Sequence, residues 1–141
     1  MSWTTTNPGQ PPTIADMEEM ADAAFLTIPD ELRRHVAGVV IRIIDFPDRE
    51  TEIEMGLQSP FELLGLYRGV SLDQKSVAWT PTDVDMIFLY RRPILDYWCE
   101  TGEPLTGIVR HVLIHEIGHH FGFSDDDMHR LEDLARAEEK I

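Results

Sequence analysis

At 141 residues the chain is long enough for one domain with a buried core, and its 43% hydrophobic content fits a globular protein. Twelve basic residues against 26 acidic ones leave a formal charge of −14, which repels a phosphate backbone, excludes nucleic acid as the expected partner and favours neutral or basic peptides, though the same charge also serves solubility alone. A single cysteine, Cys99, allows no internal disulfide and no thiolate metal site, so any metal must be held by nitrogen and oxygen.

The opening stretch MSWTTTNPGQPP has neither the basic start nor the apolar run of a secretory signal. No run of about 18 apolar residues follows it, so a cytoplasmic protein without a membrane span is expected. With three prolines and one glycine, residues 1–12 read as a flexible arm before a single domain over 13–141. The spacing of Ile14, Met17, Met20, Ala21, Ala24 and Phe25 predicts an amphipathic helix capped by Thr13 and stopped before Pro29. VAGVVIRIIDF, 36–46, is rich in Val and Ile and predicts a largely buried strand ended by Pro47. Residues 48–64 mix charge with Gly56 and Pro60, and only a short helix near Pro60–Leu64 is expected there. LGLYRGVSL, 64–72, reads as a strand or hairpin arm interrupted by Gly69. A turn at Pro81–Asp85 leads into a strand at Met86–Arg91, ended by Pro93, and ILDYWCETG predicts a short helix closed by Gly102. From Pro104, apolar residues at 105, 108, 109, 112, 113 and 117 predict a helix capped by Gly122. DDDMHRLEDLARAEEK makes a last, charged helix with Asp residues at its positive end. Helices at both ends with strands between them give an α+β class.

The stretch HEIGHHFGFSDDD, 115–127, carries the chemistry. Residues four apart on a helix lie about 40° round the axis and about 6 Å along it, so His115 and His119 converge on one ion while Glu116 flanks them as a base. A zinc held this way acidifies water and polarises a carbonyl, and the carboxylate takes the proton. A turn at Gly122 would bring Asp125 back as a third ligand and leave one position open. Among the other histidines, His111 lies about 12 Å of rise from His119, too far to share its ion, and the rival pair His111 and His115 has Val112 where the base should be. His120 points about 100° from His119 and reads as packing or surface. His129 belongs to the last helix.

His115-Glu116-x-x-His119-x-x-Gly122-x-x-Asp125 resembles the extended zinc signature of metzincin-like peptidases, with Asp in place of the third His. Together, LLGLYRGVSL, DMIFLYRRPIL and VRHVLIHEIGHHFGFSDDDM resemble the small bacterial zincin-like metallopeptidases, sometimes described as minimal metalloproteases, over roughly residues 14–135. The resemblance implies a compact minimal zincin-like fold, with a short mixed sheet packed on an active-site helix. It also implies zinc bound by His115, His119 and Asp125, Glu116 as general base, and a peptide or protein substrate. Only 16 residues follow Asp125, so the lower subdomain and the downstream Met-turn with its tyrosine, found in larger metzincins, are expected to be missing. Met128 is then read as core, and Tyr67 and Tyr90 become candidate oxyanion donors. The substrate is expected to pair with an edge strand at 86–91. The alternative is a metal-binding or peptide-binding module of the same shape with little or no hydrolytic activity, because a one-walled cleft positions substrate weakly.

Overall fold

The computed structural model describes residues 9–69 and 85–139. Residues 1–8 of the expected arm, the end of the 64–72 segment and most of the 81–85 turn lie outside the described residues. Helix α1 (Ile14–Phe25) begins at a capping box in which Thr13 and Asp16 bond each other's backbone N–H groups, and it buries Met17, Met20, Ala21 and Ala24. Pro12, just before it, is buried, and its carbonyl accepts a 2.7 Å bond from Arg91 Nε. A short helix α2 (Asp30–Arg33) and a 3-10 turn over Arg34–Val36 lead to strand β1 (Val40–Ile44). The expected strand is thus trimmed at its start, since Val36 closes the turn and Gly38 lies in the bend that follows.

Helix α3 (Arg49–Met55) was hidden by its charge. Asp48 caps its start, accepting from Thr51 N–H at 2.8 Å, and Gly56 ends it at φ 66°. After a 3-10 turn at Pro60–Glu62, strand β2 (Gly65–Arg68) precedes the undescribed stretch, and strand β3 (Met86–Tyr90) follows it. Helix α4 (Arg91–Thr101) starts without a loop, so Pro93 does not end the strand. It sits instead in the first helical turn, where its missing N–H costs nothing.

The sheet order is β1-β3-β2, with β3 parallel to β1 and antiparallel to β2. Strand β3 is therefore central and both its edges are taken, which rules out the expected substrate pairing there. Among the described strands β1 has a neighbour on one side only, and Ile43 is its one fully buried residue while Val40 stays exposed. Directly paired residues share a face, so Ile41, Ile43, Ile87, Leu89, Gly65 and Tyr67 look one way. Across that face lie α1, over β1, and helix α5 (Leu105–Phe121), over β2 and β3. No helix among the described residues is long and apolar enough to cross a membrane.

Helix α5 runs 17 residues through the middle of the molecule and is buried on most of its circumference. It ends at Gly122, φ 74°, with Phe123 N–H bonded to Gly118 C=O at 2.9 Å. That left-handed turn sends the chain back as helix α6 (Asp125–Glu139), anchored by buried Met128 and Leu131. The crossing depends on Gly118, because a methyl group there would stand 2.5 Å from both Cγ and Sδ of Met128.

Alanine at a helical glycine ordinarily gains about 1 kcal/mol, yet here overpacking against the inner part of Met128 costs about 1–3 kcal/mol. Gly118→Ala is therefore expected to lower the melting temperature, and adding Met128→Ala to recover part of the loss. Thermal denaturation of the two single variants and the double variant would show additive losses if the contact were not real.

Candidate metal centre

One residue of helical rotation separates two stripes along α5. His111, His115 and His119 face outward, partly or largely exposed, whereas Val112, Glu116 and His120 are buried beneath β2. Gly65 makes this possible: a Cβ there would lie 2.6 Å from Val112 Cγ1 and 3.4 Å from Glu116 Cγ. Strand β2 thus approaches the helix closely enough to hold Glu116, 8% exposed, beside the outward pair.

The rings of His115 and His119 stand 5.9 Å apart at 87°. Two imidazoles on one tetrahedral zinc, with bonds of about 2.0–2.1 Å, bring their centroids to roughly 5 Å, somewhat closer than the His115 and His119 rings stand here. His119 Nδ1 lies 3.0 Å from Glu116 Oε1. The tautomer that donates from Nδ1 bonds the carboxylate and leaves Nε2 to accept a metal. Asp125 is exposed at the first residue of α6. Among the described residues no three His, Cys, Asp or Glu side chains are gathered as a ligand set; the pair offers two nitrogen donors of the kind zinc takes, and no third ligand is assembled beside it.

The neighbours of Asp125 differ in their commitments. Asp127 is tied to Ser124, accepting from its backbone N–H at 3.4 Å while its own N–H donates to Ser124 Oγ at 3.2 Å, and it also pairs with Arg130. Its bonds to Ser124 hold its carboxyl below the usual range. His111 Nδ1 lies 2.8 Å from both carboxylate oxygens of Glu132 on α6, with its ring 5.3 Å from that of His115. His129 is exposed on α6. Beside His115 opens a cleft of about 600 Å³, whose lining includes Gly65, His115, Glu116, His111 and Glu132 but not His119.

Sequence reasoning missed the setting of the two tyrosines. The Tyr67 hydroxyl lies 3.2 Å from His120 Nδ1, and Asp85 Oδ2 is 3.5 Å from the same nitrogen. Tyr67 therefore belongs to a buried cluster joining β2, the start of β3 and the end of α5. Burial first, and then the Asp85 carboxylate beside it, push its hydroxyl well above the ordinary value. Tyr90 is 2% exposed, and burial raises its hydroxyl to about 12. Neither tyrosine lines the cleft. His120 is a packing residue, 2% exposed, and Met128 is core.

Comparison with protein families matches residues 36–135 to the zincin-like metallopeptidases. No curated protein matches the chain.

Both tyrosine shifts bear on alkaline stability. A folded-state value raised above the unfolded value of about 10 means that the unfolded chain releases its proton first, so stability is fully present below about pH 10 and declines above it. Denaturant melts are expected to show this decline, and Tyr67→Phe to flatten it. An unchanged slope in Tyr67→Phe would mean that the hydroxyl is not held neutral by this cluster.

Proposed function

The chain belongs to the zincin-like metallopeptidase family, and from that membership we propose a zinc-dependent peptidase in which Glu116 is the general base and His115, His119 and Asp125 hold the ion. The observation that carries the reading is Glu116, fixed between β2 and the histidine pair, bonded to His119 and opening onto the cleft. Besides orienting His119, Glu116 lines the cleft, where a carboxylate could take a proton from the attacking water; a purely structural zinc needs no base.

Zinc, when bound, supplies a Lewis acid that polarises the scissile carbonyl and lowers the pKa of water. Glu116 accepts the proton of the attacking water and returns it to the leaving amine. With β3 enclosed, the strand for an extended substrate is β2: its outer edge pairs with no other described strand, and Gly65 and Leu64 line the cleft. Asp125 is favoured over Asp127 because Asp127 is already engaged in capping α6. The lone exposed thiol of Cys99 suits a reducing, cytoplasmic setting. A second reading, a peptide-binding module with little hydrolysis, draws on the ungathered third ligand.

Elemental analysis is expected to find about one zinc per chain in the wild type and in Glu116→Gln, severe loss in His115→Ala, His119→Ala and Asp125→Ala, and retention in Asp126→Ala and Asp127→Ala. Turnover of a mixed peptide library by the zinc-loaded wild type, falling by about 10²-fold or more in Glu116→Gln, supports the peptidase. Equal turnover in the two proteins would remove Glu116 as base, and zinc loss in Asp127→Ala instead of Asp125→Ala would reassign the third ligand.

A further inference from the structure

We propose that the cleft beside Glu116 takes a large apolar side chain of the substrate, of the phenylalanine or leucine kind, and that Gly107 is the residue that leaves room for it; the inference rests on the peptidase reading. The cleft of about 600 Å³ reaches from His115 and Glu116 to Gly107. Gly107, His111 and His115 follow one another at four-residue steps, a span of about 12 Å along the axis of α5. A space of this size, continuous with the reacting groups, is sized for substrate.

Helix α5 contains two glycines, and a glycine inside a helix is ordinarily less stable than alanine. Gly118 is demanded by packing, because a Cβ there would stand 2.5 Å from Met128. Nothing comparable demands Gly107. Its backbone is helical, and among the described residues a Cβ would meet nothing closer than Nη2 of Arg110, at 3.6 Å, an ordinary van der Waals contact. The fold would thus accept a side chain at 107, and what its absence provides is open space at the far end of the cleft.

Beyond His115 and Glu116, the charged groups of the lining are already committed to partners. His111 and Glu132 bond each other at 2.8 Å, Tyr97 and Glu103 are hydrogen-bonded, and Arg110 and Glu132 have further partners of their own. A charged substrate side chain would have to break such a bond to be held, and a polar group left without its partner is costly. The rest of the lining includes Leu64, Pro104, Ile108 and Val112. An apolar side chain gains by covering these four and disturbs none of the polar pairs. Directly paired strand residues share a face, so a substrate residue opposite Gly65 on the outer edge of β2 turns its side chain toward α5, the side on which the cleft opens.

The test uses full-length, zinc-loaded protein and quenched peptides that differ only in carrying Ala, Leu, Phe, Lys or Glu on either side of the cleaved bond. For the wild type, kcat/KM is expected to be at least about tenfold higher with Phe or Leu than with Ala on one side, and no higher with Lys or Glu than with Ala. Gly107→Ala is expected to hold or raise the melting temperature and to lower the Phe to Ala ratio slightly, and Gly107→Leu to lower that ratio severalfold. A wild type that prefers Lys or Glu, a wild type without preference, or a Phe to Ala ratio that neither variant lowers overturns the proposal. So does a clear fall in melting temperature in Gly107→Ala, since the glycine would then serve packing. If no peptide is cleaved, the peptidase reading fails and the cleft is judged by binding alone. Fluorescence anisotropy of the Phe and Ala peptides on zinc-loaded Glu116→Gln, with and without Gly107→Leu, then decides it: a Phe preference that Gly107→Leu weakens sustains the site, and equal binding of the two peptides sinks it.

Discussion

Helix α5 is gripped from two sides at points where no side chain intervenes. Gly65 lets β2 settle onto Val112 and Glu116, and Gly118 admits Met128 of α6. These contacts set the distance from the Glu116 face of α5 to β2 and the angle at which α6 leaves the Gly122 turn. Everything proposed for the site is downstream of them. The carboxylate of Glu116 can be both packed and open to the cleft only because the strand above it has no Cβ. The position of Asp125 follows from a helix crossing that a methyl group at residue 118 would disturb. Interiors pack densely enough that such one-carbon constraints are felt as displacement of whole elements.

Much of this frame was legible in the sequence because local chemistry and tertiary packing agree. Thr13 with Asp16, Gly102 and Gly122 are terminal signals that act within one turn, and the elements they bound stand where the pattern places them. The α+β class and the histidine pair on one face of α5 follow from the same short-range periodicity. The losses came where period and propensity were silent or opposed. Helix α3 has the sequence RETEIEM, with Thr51 its one fully buried residue, so no apolar stripe announced it; only Asp48 and Gly56, read together, mark its ends. Pro93 was read as a stop because proline breaks both strands and helices, but a first helical turn tolerates it.

Strand order is marked in the sequence only by composition. MIFLY at 86–90 carries the density of apolar residues proper to a central strand, with Ile87 and Leu89 fully buried, and that composition was available as a warning against placing it at an edge. The tyrosines were illegible for a related reason. Tyr67 and His120 are 53 residues apart in sequence, and nothing in GLYRG or EIGHHFG states that one hydroxyl will meet the other's imidazole. A buried histidine inside a histidine-rich stretch is easily mistaken for a spare ligand; its rotation of about 100° from His119 was enough to set it aside as packing or surface, and its burial and its partner were what the sequence did not state.

The two stripes on α5 give the proposed ligands and the proposed base different surroundings. Metal ligands must move by fractions of an ångström as an ion enters, and His115 and His119 lie on the outward stripe, where a small rotation is not opposed by dense packing. A general base gains from being held in place before reaction, and Glu116 occupies the inward stripe, where Gly65 and Val112 confine it. One step of about 100° along the helix is all that divides the two environments, so the His-Glu order of the motif has a physical content beyond its spacing. Moving the carboxylate one residue further along would turn it by the same angle again, away from His119, which its side chain now touches at 3.0 Å. The adjacent position is thus the one from which a packed carboxylate can reach a partly exposed ligand, and the close approach of β2 makes that position rigid.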